Sequence, residues 1–228
     1  MGKPIERGVD EHPVQIPAGR VTLDGNLARP EGSQGIVLFA HGSGSSRHSP
    51  RNRYVAGVLR EAGLATLLMD LLTVDEESVD ERTGHLRFDI ALLAERLVAA
   101  TDWLASAPAT RHLVIGYFGA STGAAAALVA AARRPDLVRA VVSRGGRPDL
   151  AGDALARVVA PTLLIVGGHD VPVIGMNREA MAHMPAEVKL EIVPGASHLF
   201  EEPGTLEVAA RLARDWFAHR LAKRSAAA

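Results

Sequence analysis

One serine between glycines, where an apolar run meets an alanine-rich run, constrains this chain most. Leu113-Val114-Ile115-Gly116-Tyr117-Phe118 leads into Gly119-Ala120-Ser121-Thr122-Gly123, and residues 124–132 are mostly alanine. That order predicts a strand, a sharp turn and a helix, with Ser121 at the apex. A strand that turns at once into a helix crowds its own backbone and forces the apex residue into strained dihedrals. Glycines on either side remove the clash, and the hydroxyl stands out above the sheet.

The rest of the chain alternates in the same way. Short Val/Ile/Leu-rich runs at residues 36–40, 65–69, 113–118, 138–142, 162–166 and 188–193 predict buried strands. Between them, residues 51–62, 87–105, 122–133, 174–183 and 206–222 carry helical patterns. Ser49-Pro50 opens the first helix with a cap residue and a proline where no donor is lost, and Gly63 closes it. In the second, Phe88, Leu92, Leu93, Leu97, Val98 and Leu104 form a one-sided apolar stripe. Residues 14–16 and 20–28 predict an antiparallel hairpin, with Asp24-Gly25 as a bend or turn. This alternation implies an α/β fold: a mostly parallel twisted sheet, helices on both faces, and reactive groups at the carboxyl ends of the strands.

Two connections bear on access to such a site. Residues 75–85 are rich in acids and predict a surface loop, whose functional reading is a flap near the site mouth. The strands near 142 and 162 are separated by about twenty residues, room for a turn and one short helix. No inserted cap domain is therefore expected, which argues against a buried tunnel for long lipids.

An unassisted serine hydroxyl is a poor nucleophile, so Ser121 needs a base and the base needs an orienting acid. His198, in Gly195-Ala196-Ser197-His198, follows the last predicted strand and is the candidate base. Asp170 ends Gly167-Gly168-His169-Asp170 after another strand. It is the favoured acid, against a helix-cap reading of the same residue and against Asp149 as rival. The order Ser121, Asp170, His198 is that of one hydrolase superfamily. Attack on an acyl carbonyl also needs oxyanion donors. The backbone amide of Thr122 is one; the second is expected from His41-Gly42-Ser43-Gly44, with Ser43 first and Gly44 next. His41 is expected to brace that loop. Arg47, His48, Arg51 and Arg53 crowd a helix start, and Arg144 ends a predicted strand; Gly44, Arg47, His48 and Arg144 are candidate substrate-binding residues.

Composition excludes several classes of function. The 228 residues carry a formal net charge of -1, which favours neither nucleic acid nor an anionic membrane. No cysteine is present, so disulfides, thiolate metal sites and a cysteine nucleophile are out. The histidines show no metal-ligand spacing, and neither a metal nor a cofactor is expected. Residues 1–19 lack an apolar export segment, so a cytoplasmic location is expected, and 223–228 read as a frayed tail.

The four motifs His41-Gly42-Ser43-Gly44, Gly119-Ala120-Ser121-Thr122-Gly123, Gly168-His169-Asp170 and Ser197-His198 together resemble the alpha/beta-hydrolase superfamily, from residue 36 to the final helix. The short, lid-free layout and the segment Ser45-Ser46-Arg47-His48-Ser49-Pro50-Arg51-Asn52 are similar to the dienelactone hydrolase-like group of small esterases. Dienelactone hydrolase itself uses a cysteine where this chain has Ser121. The resemblance implies a single alpha/beta-hydrolase domain over residues 1–228, with 1–30 as an N-terminal extension and hairpin. It further implies a serine hydrolase of small to medium carboxylic esters. An acyltransferase, perhydrolase or thioesterase would use the same site, and a non-catalytic ligand-binding protein would share the fold. The expected partner is a small-molecule ester, with no nucleic acid or membrane; homo-oligomerisation is left open.

Overall fold

The computed structural model describes residues 11–222. The tail expected at 223–228 and the start of the N-terminal extension lie outside the described residues. Strands β1 (Glu11–Ala18) and β2 (Val21–Ala28) form an antiparallel hairpin. Strands β3 (Gly35–Ala40), β4 (Ala65–Met69), β5 (Val114–Ala120), β6 (Val138–Arg144), β7 (Thr162–Gly167) and β8 (Val188–Val193) run parallel. All eight make one sheet in the order β1-β2-β4-β3-β5-β6-β7-β8, with β2 antiparallel to β4.

Helices cover both faces because alternate side chains of each strand point to opposite sides. Val37 and Phe39 of β3 share a core with Val55 and Leu59 of α1 (Pro50–Glu61) and with Phe217 of α6 (Thr205–Leu221). Ile36 and Leu38 face the other core, with Leu93 and Leu97 of α3 (Ile90–Ser106) and Leu128 of α4 (Thr122–Arg133). Each such fully buried side chain contributes about 1.5–3 kcal/mol through the hydrophobic effect. The β6–β7 connection holds only 3-10 turns at Pro148–Arg157, and α5 (Val171–Ala182) follows β7.

Three expectations are corrected. Residues 75–85 are not a loop: α2 (Val74–Thr83) occupies most of them. Thr73 and Glu76 form a reciprocal capping box, three acids sit in the first turn, and Gly84 ends the helix in the left-handed region. Its stability comes from caps and dipole rather than from an apolar stripe, which is why the charge run concealed it. Asp24-Gly25 is no turn. Both residues lie inside β2, and the hairpin reverses at Gly19 (φ +67°). Gly25 is small because a Cβ there would stand 3.1 Å from Val14, Ile16 and Leu67 side chains. Phe88 leaves the stripe: it is 59% exposed on a 3-10 turn, and α3 starts only after Asp89, whose side chain accepts the Leu92 amide at 3.0 Å.

Strand order then locates a crevice. From β3 the chain goes to β4 on one side, then crosses to β5 on the other. Outside the carboxyl ends of β3 and β5 the sheet therefore has its topological switch point, where ligands bind in open α/β sheets. Ala40 and Gly119 are paired across these two ends. A Cβ on Gly123 would stand 2.3 Å from the Ala40 carbonyl oxygen and 2.4 Å from that of His41. One on Gly119 would stand 2.4 Å from Ala124 Cα. Only glycine lets the start of α4 rest against the end of β3.

Candidate active site

Ser121 stands at this switch point with φ 50° and ψ -122°, one of two non-glycine residues with positive φ among the described residues. Such strain persists only where neighbours over-determine it. Here the Ser121 amide donates to the Arg144 carbonyl at 3.3 Å, and the Ser121 carbonyl accepts from Ala124 at 3.1 Å and Arg147 at 3.2 Å.

The other positive-φ residue is Phe200 (φ 57°), two positions after His198 in the loop that follows β8. The loop is closed by the Ser197 amide donating to Glu202 Oε2 at 2.9 Å and the Phe200 amide to the Ser197 carbonyl at 3.3 Å. It lies against Gly145, where a Cβ would stand 3.0 Å from the His198 carbonyl and 3.6 Å from its ring. His198 and Ser121 thus meet at the carboxyl end of β6, Ser121 through residue 144 and His198 through residue 145.

His198 Nδ1 lies 2.6 Å from Asp170 Oδ2. An ionised carboxylate only accepts, so Nδ1 carries the proton and Nε2 keeps its lone pair. Asp170 occupies the N-cap position of α5, yet its side chain makes no capping hydrogen bond and turns to the imidazole instead. The rival Asp149 is paired with Arg147 at 2.7 Å. Asp170 and His198 are in contact, while Ser121 is held at the same end of β6 by its amide on the Arg144 carbonyl; among the described residues no hydrogen bond joins the Ser121 hydroxyl to His198.

Opposite Ser121 is the loop after β3. Gly42 is pressed against the elbow: a Cβ there would stand 3.1 Å from Ser121 Cβ. His41 is buried, accepts the Leu71 amide on Nε2 at 3.1 Å and donates from Nδ1 to the Gly42 carbonyl at 2.9 Å. Burial lowers its pKa against smaller opposing effects of the Gly42 hydrogen bond and Asp70. A neutral imidazole satisfies both bonds, so His41 braces the loop. The Ser43 amide is already engaged, donating to Thr122 Oγ1 at 3.0 Å. Sequence reading missed this bond because it joins residues far apart in the chain.

Beside these groups opens a cavity of about 230 Å³. Ser43, Gly44 and Thr122 are among its lining residues, with Leu71, Leu72 and Leu93 as apolar ones; Ser121 and His198 are not part of the lining. Glu77, Asp80, Glu81 and Arg87 make part of the lining charged. Arg87 donates from Nε to Asp80 Oδ2 at 2.5 Å and from Nη2 to the Asp80 carbonyl at 2.9 Å. Burial pushes the Asp80 carboxyl up, but hydrogen bonds from Arg87 and from the Arg87 and Leu86 amides outweigh it and hold it below its ordinary value. Glu77, on the same helix and lining the same cavity, is pushed the other way by burial and then by Asp70 and Glu81. Glu77 and Asp80 belong to the acidic run whose functional reading is a flap near the site mouth, but they line the cavity from a helix rather than a loop, and Arg87, on the 3-10 turn that follows, is not among the sequence candidates.

The chain is similar to proteins already known. The family model described as "Dienelactone hydrolase family" matches residues 23–220. The chain belongs to the dienelactone hydrolase family. Within and around that family, it is 65% identical to a dienelactone hydrolase from Anabaena variabilis of known crystal structure, with a TM-score of 0.92 over 93% of this chain and 99% of that one. Est1E from Butyrivibrio proteoclasticus shares the fold, with a TM-score of 0.77 at 17% identity over 92% and 99% of the two chains. A Mycobacterium tuberculosis protein provisionally named a phosphoribosyl transferase is 63% identical over 208 residues, 91% of this chain and 46% of that one. The chain therefore spans about half the length of that curated relative.

For a dienelactone hydrolase family member, the remaining candidates fall out as follows. Gly44 lines the cavity with φ +67°. Arg47 does not face it: the guanidinium pairs with Asp70 and lies 3.6 Å from Asp24, so its charge is already met. His48 is exposed and lies outside the cavity lining, because Ser49 and Pro50 turn the chain into α1 there. Arg144 is buried on the α1–α6 side of the sheet, against Phe118 and Phe200, rather than in the cavity. No described helix is long and apolar enough to cross a membrane.

Proposed function

We propose that this chain is a serine hydrolase that cleaves small to medium carboxylic esters through an acyl-enzyme on Ser121. The observation that carries the reading is the 2.6 Å His198–Asp170 contact on the sheet edge that also holds the strained serine elbow. The reading requires the Ser121 hydroxyl to reach His198 Nε2 in the reacting complex; resting enzymes often make this contact only with substrate bound. His198 takes the serine proton as Oγ attacks the acyl carbon. The leaving alcohol receives that proton, and a water activated by the same imidazole then releases the acid. Asp170 stays ionised and holds the tautomer.

The cavity suits a short acyl or alcohol group, since drug-sized ligands occupy sites of about 300–1,000 Å³. Acyl transfer to another alcohol, to peroxide or to a thiol would use the same acyl-enzyme. The name of the M. tuberculosis relative describes a protein more than twice as long as the matched segment; we assign hydrolase chemistry to the shared half. A fluorophosphonate probe tests the nucleophile. Mass spectrometry is expected to find one adduct, on Ser121, together with turnover of short p-nitrophenyl esters. An unlabelled protein that turns over no ester in a broad panel would remove the proposal in favour of a ligand-binding module.

Thr122 supplies the oxyanion site twice in this reading, through its amide and through its hydroxyl. By accepting the Ser43 N–H, Oγ1 fixes that amide in place and leaves its own proton free to point at the developing oxyanion. Thr122→Val is expected to lower kcat by about 10- to 100-fold with little change in KM, and Thr122→Ser to restore most of it. A faster Thr122→Val enzyme would mean that the hydroxyl merely blocks the Ser43 donor.

A further inference from the structure

Two loops carry the acid and the base, and the first grips the second just short of His198. The Gly168 amide donates to the Val193 carbonyl at 2.8 Å, and the His169 amide to the Ala196 carbonyl at 2.9 Å. A Cβ on Gly167 would stand 2.4 Å from the Ala196 carbonyl oxygen and 2.5 Å from that of Ser197. Among the described residues no backbone hydrogen bond from Gly167–Asp170 reaches past Ala196 in the second loop. Beyond Ser197 the chain turns sharply, and buried Phe200 takes a φ of 57°. The direction of His198 is set inside that turn.

Glu202 is the side chain that closes the turn. Its Oε2 accepts the Ser197 amide at 2.9 Å. That amide, then the Glu202 amide and the Ser197 hydroxyl, hold the carboxyl below its ordinary value against a smaller effect of burial, and the charge of His169 acts in the same direction. One carboxylate therefore meets the residue before His198 and feels the residue before Asp170. An ionised acceptor makes the stronger kind of hydrogen bond. The fold does not call on this side chain. Helix α6 starts on bonds from the Thr205 amide and hydroxyl to the Glu202 carbonyl, at 3.1 Å and 2.7 Å, which any residue at 202 supplies. Ala209, Ala213 and Phe217 anchor the helix in the core.

We propose that Glu202 is a positioning residue for His198, holding the imidazole on Asp170 through the Ser197 amide. The consequence for the rate rests on the hydrolase reading; the consequence for the imidazole does not. With the carboxylate in place, the turn keeps Nδ1 at 2.6 Å from Asp170 Oδ2. Without it, the longer bond from the Phe200 amide to the Ser197 carbonyl, 3.3 Å, is left to hold the turn. A misplacement of about 1 Å costs on the order of 100-fold in rate. Glu202 lies outside the cavity lining, so substrate binding is unaffected.

Three measurements test the role together: steady-state hydrolysis of a short p-nitrophenyl ester, thermal unfolding, and proton NMR of the His198 Nδ1 proton, assigned by its absence from His198→Gln. Glu202→Ala is expected to lower kcat by about 10- to 100-fold, with KM within about twofold and Tm within about 5 °C of wild type. Its Nδ1 resonance is expected to weaken through faster exchange with water. Glu202→Gln keeps an oxygen for the Ser197 amide and is expected to recover most of the rate and the resonance. Glu201→Gln is the control, since Glu201 is an exposed neighbour paired with Arg51 at 3.3 Å, and it is expected to behave as wild type. The resonance needs no turnover. A wild type that hydrolyses nothing, beside a resonance lost in Glu202→Ala and kept in Glu202→Gln, removes the hydrolase reading and leaves the positioning role standing. The proposal is overturned by a wild type without the resonance, by a Glu202→Ala protein with its resonance or, in an active enzyme, its kcat unchanged, by a larger fall in Tm, or by a Glu202→Gln protein as impaired as the alanine variant.

Discussion

Ser121→Ala is expected to lower ester hydrolysis by about 10⁴- to 10⁶-fold at neutral pH. The substitution removes one oxygen and little else. The elbow is held by backbone groups, namely the Ser121 amide on the Arg144 carbonyl and the Ser121 carbonyl on the Ala124 and Arg147 amides, and all of these survive in alanine. Alanine pays the same positive-φ strain as serine, so Tm is expected to stay within a few degrees. On the proposed hydrolase reading, what remains is the oxyanion site and a His198–Asp170 pair with nothing to deprotonate except water. Residual turnover above the uncatalysed rate is therefore expected, and it should show no burst of released alcohol. Steady-state and pre-steady-state assays with a short p-nitrophenyl ester check both statements. Equal rates in wild type and variant would place the nucleophile elsewhere.

The elbow was legible because its signal is local. Gly119 and Gly123 are dictated by contacts of 2.4 Å and 2.3 Å that a Cβ would make, and the sequence displays them beside the serine they serve. The parallel strands were legible for a related reason: a strand buried on both faces must be apolar throughout, and β3, β4 and β7 are buried at every position. The ends of the parallel strands fell within two residues of the expected ones, whereas β1 begins three residues before its expected start. Helix α2 was hidden because its surface is charged all round; the Thr73/Glu76 capping box was its one local mark. Asp24-Gly25 misled because a glycine chosen for close packing looks the same, in one dimension, as a glycine chosen for a turn.

Pairings between distant residues were the least legible. Nothing near Ser43 indicates that Thr122 takes its amide, and nothing near Arg47 indicates that Asp70 takes its charge. Both follow from the switch point, which lays the ends of β3, β4 and β5 side by side. Arg144 was singled out as a residue facing the crevice from the end of its strand, yet strand alternation sends its side chain to the opposite core from the cavity. Residue type and strand end located the right edge of the sheet, while the face depended on register that only the assembled sheet supplies.

Asp170→Asn is expected to cost about 10⁴-fold in kcat near neutral pH, with KM little altered and the fold intact. The carboxylate accepts from His198 Nδ1 at 2.6 Å and is less exposed than the imidazole, 13% against 39% for the two side chains. A carboxamide in that place presents either its oxygen or its NH₂ group. When the NH₂ faces Nδ1, the ring proton moves to Nε2, and the nitrogen nearest Ser121 becomes a donor that accepts no proton from the hydroxyl. Asparagine also removes the negative charge that stabilises the imidazolium formed during attack. Because Asp170 makes no capping bond to α5, its replacement removes no helix cap, and Tm is expected to change by only a few degrees. Asp149→Asn serves as the control: its partner is Arg147 at the surface, so the rate is expected to stay within about twofold of wild type. A crippled Asp149→Asn beside an active Asp170→Asn would assign the orienting acid to the wrong strand end and, with it, the whole proton line through His198.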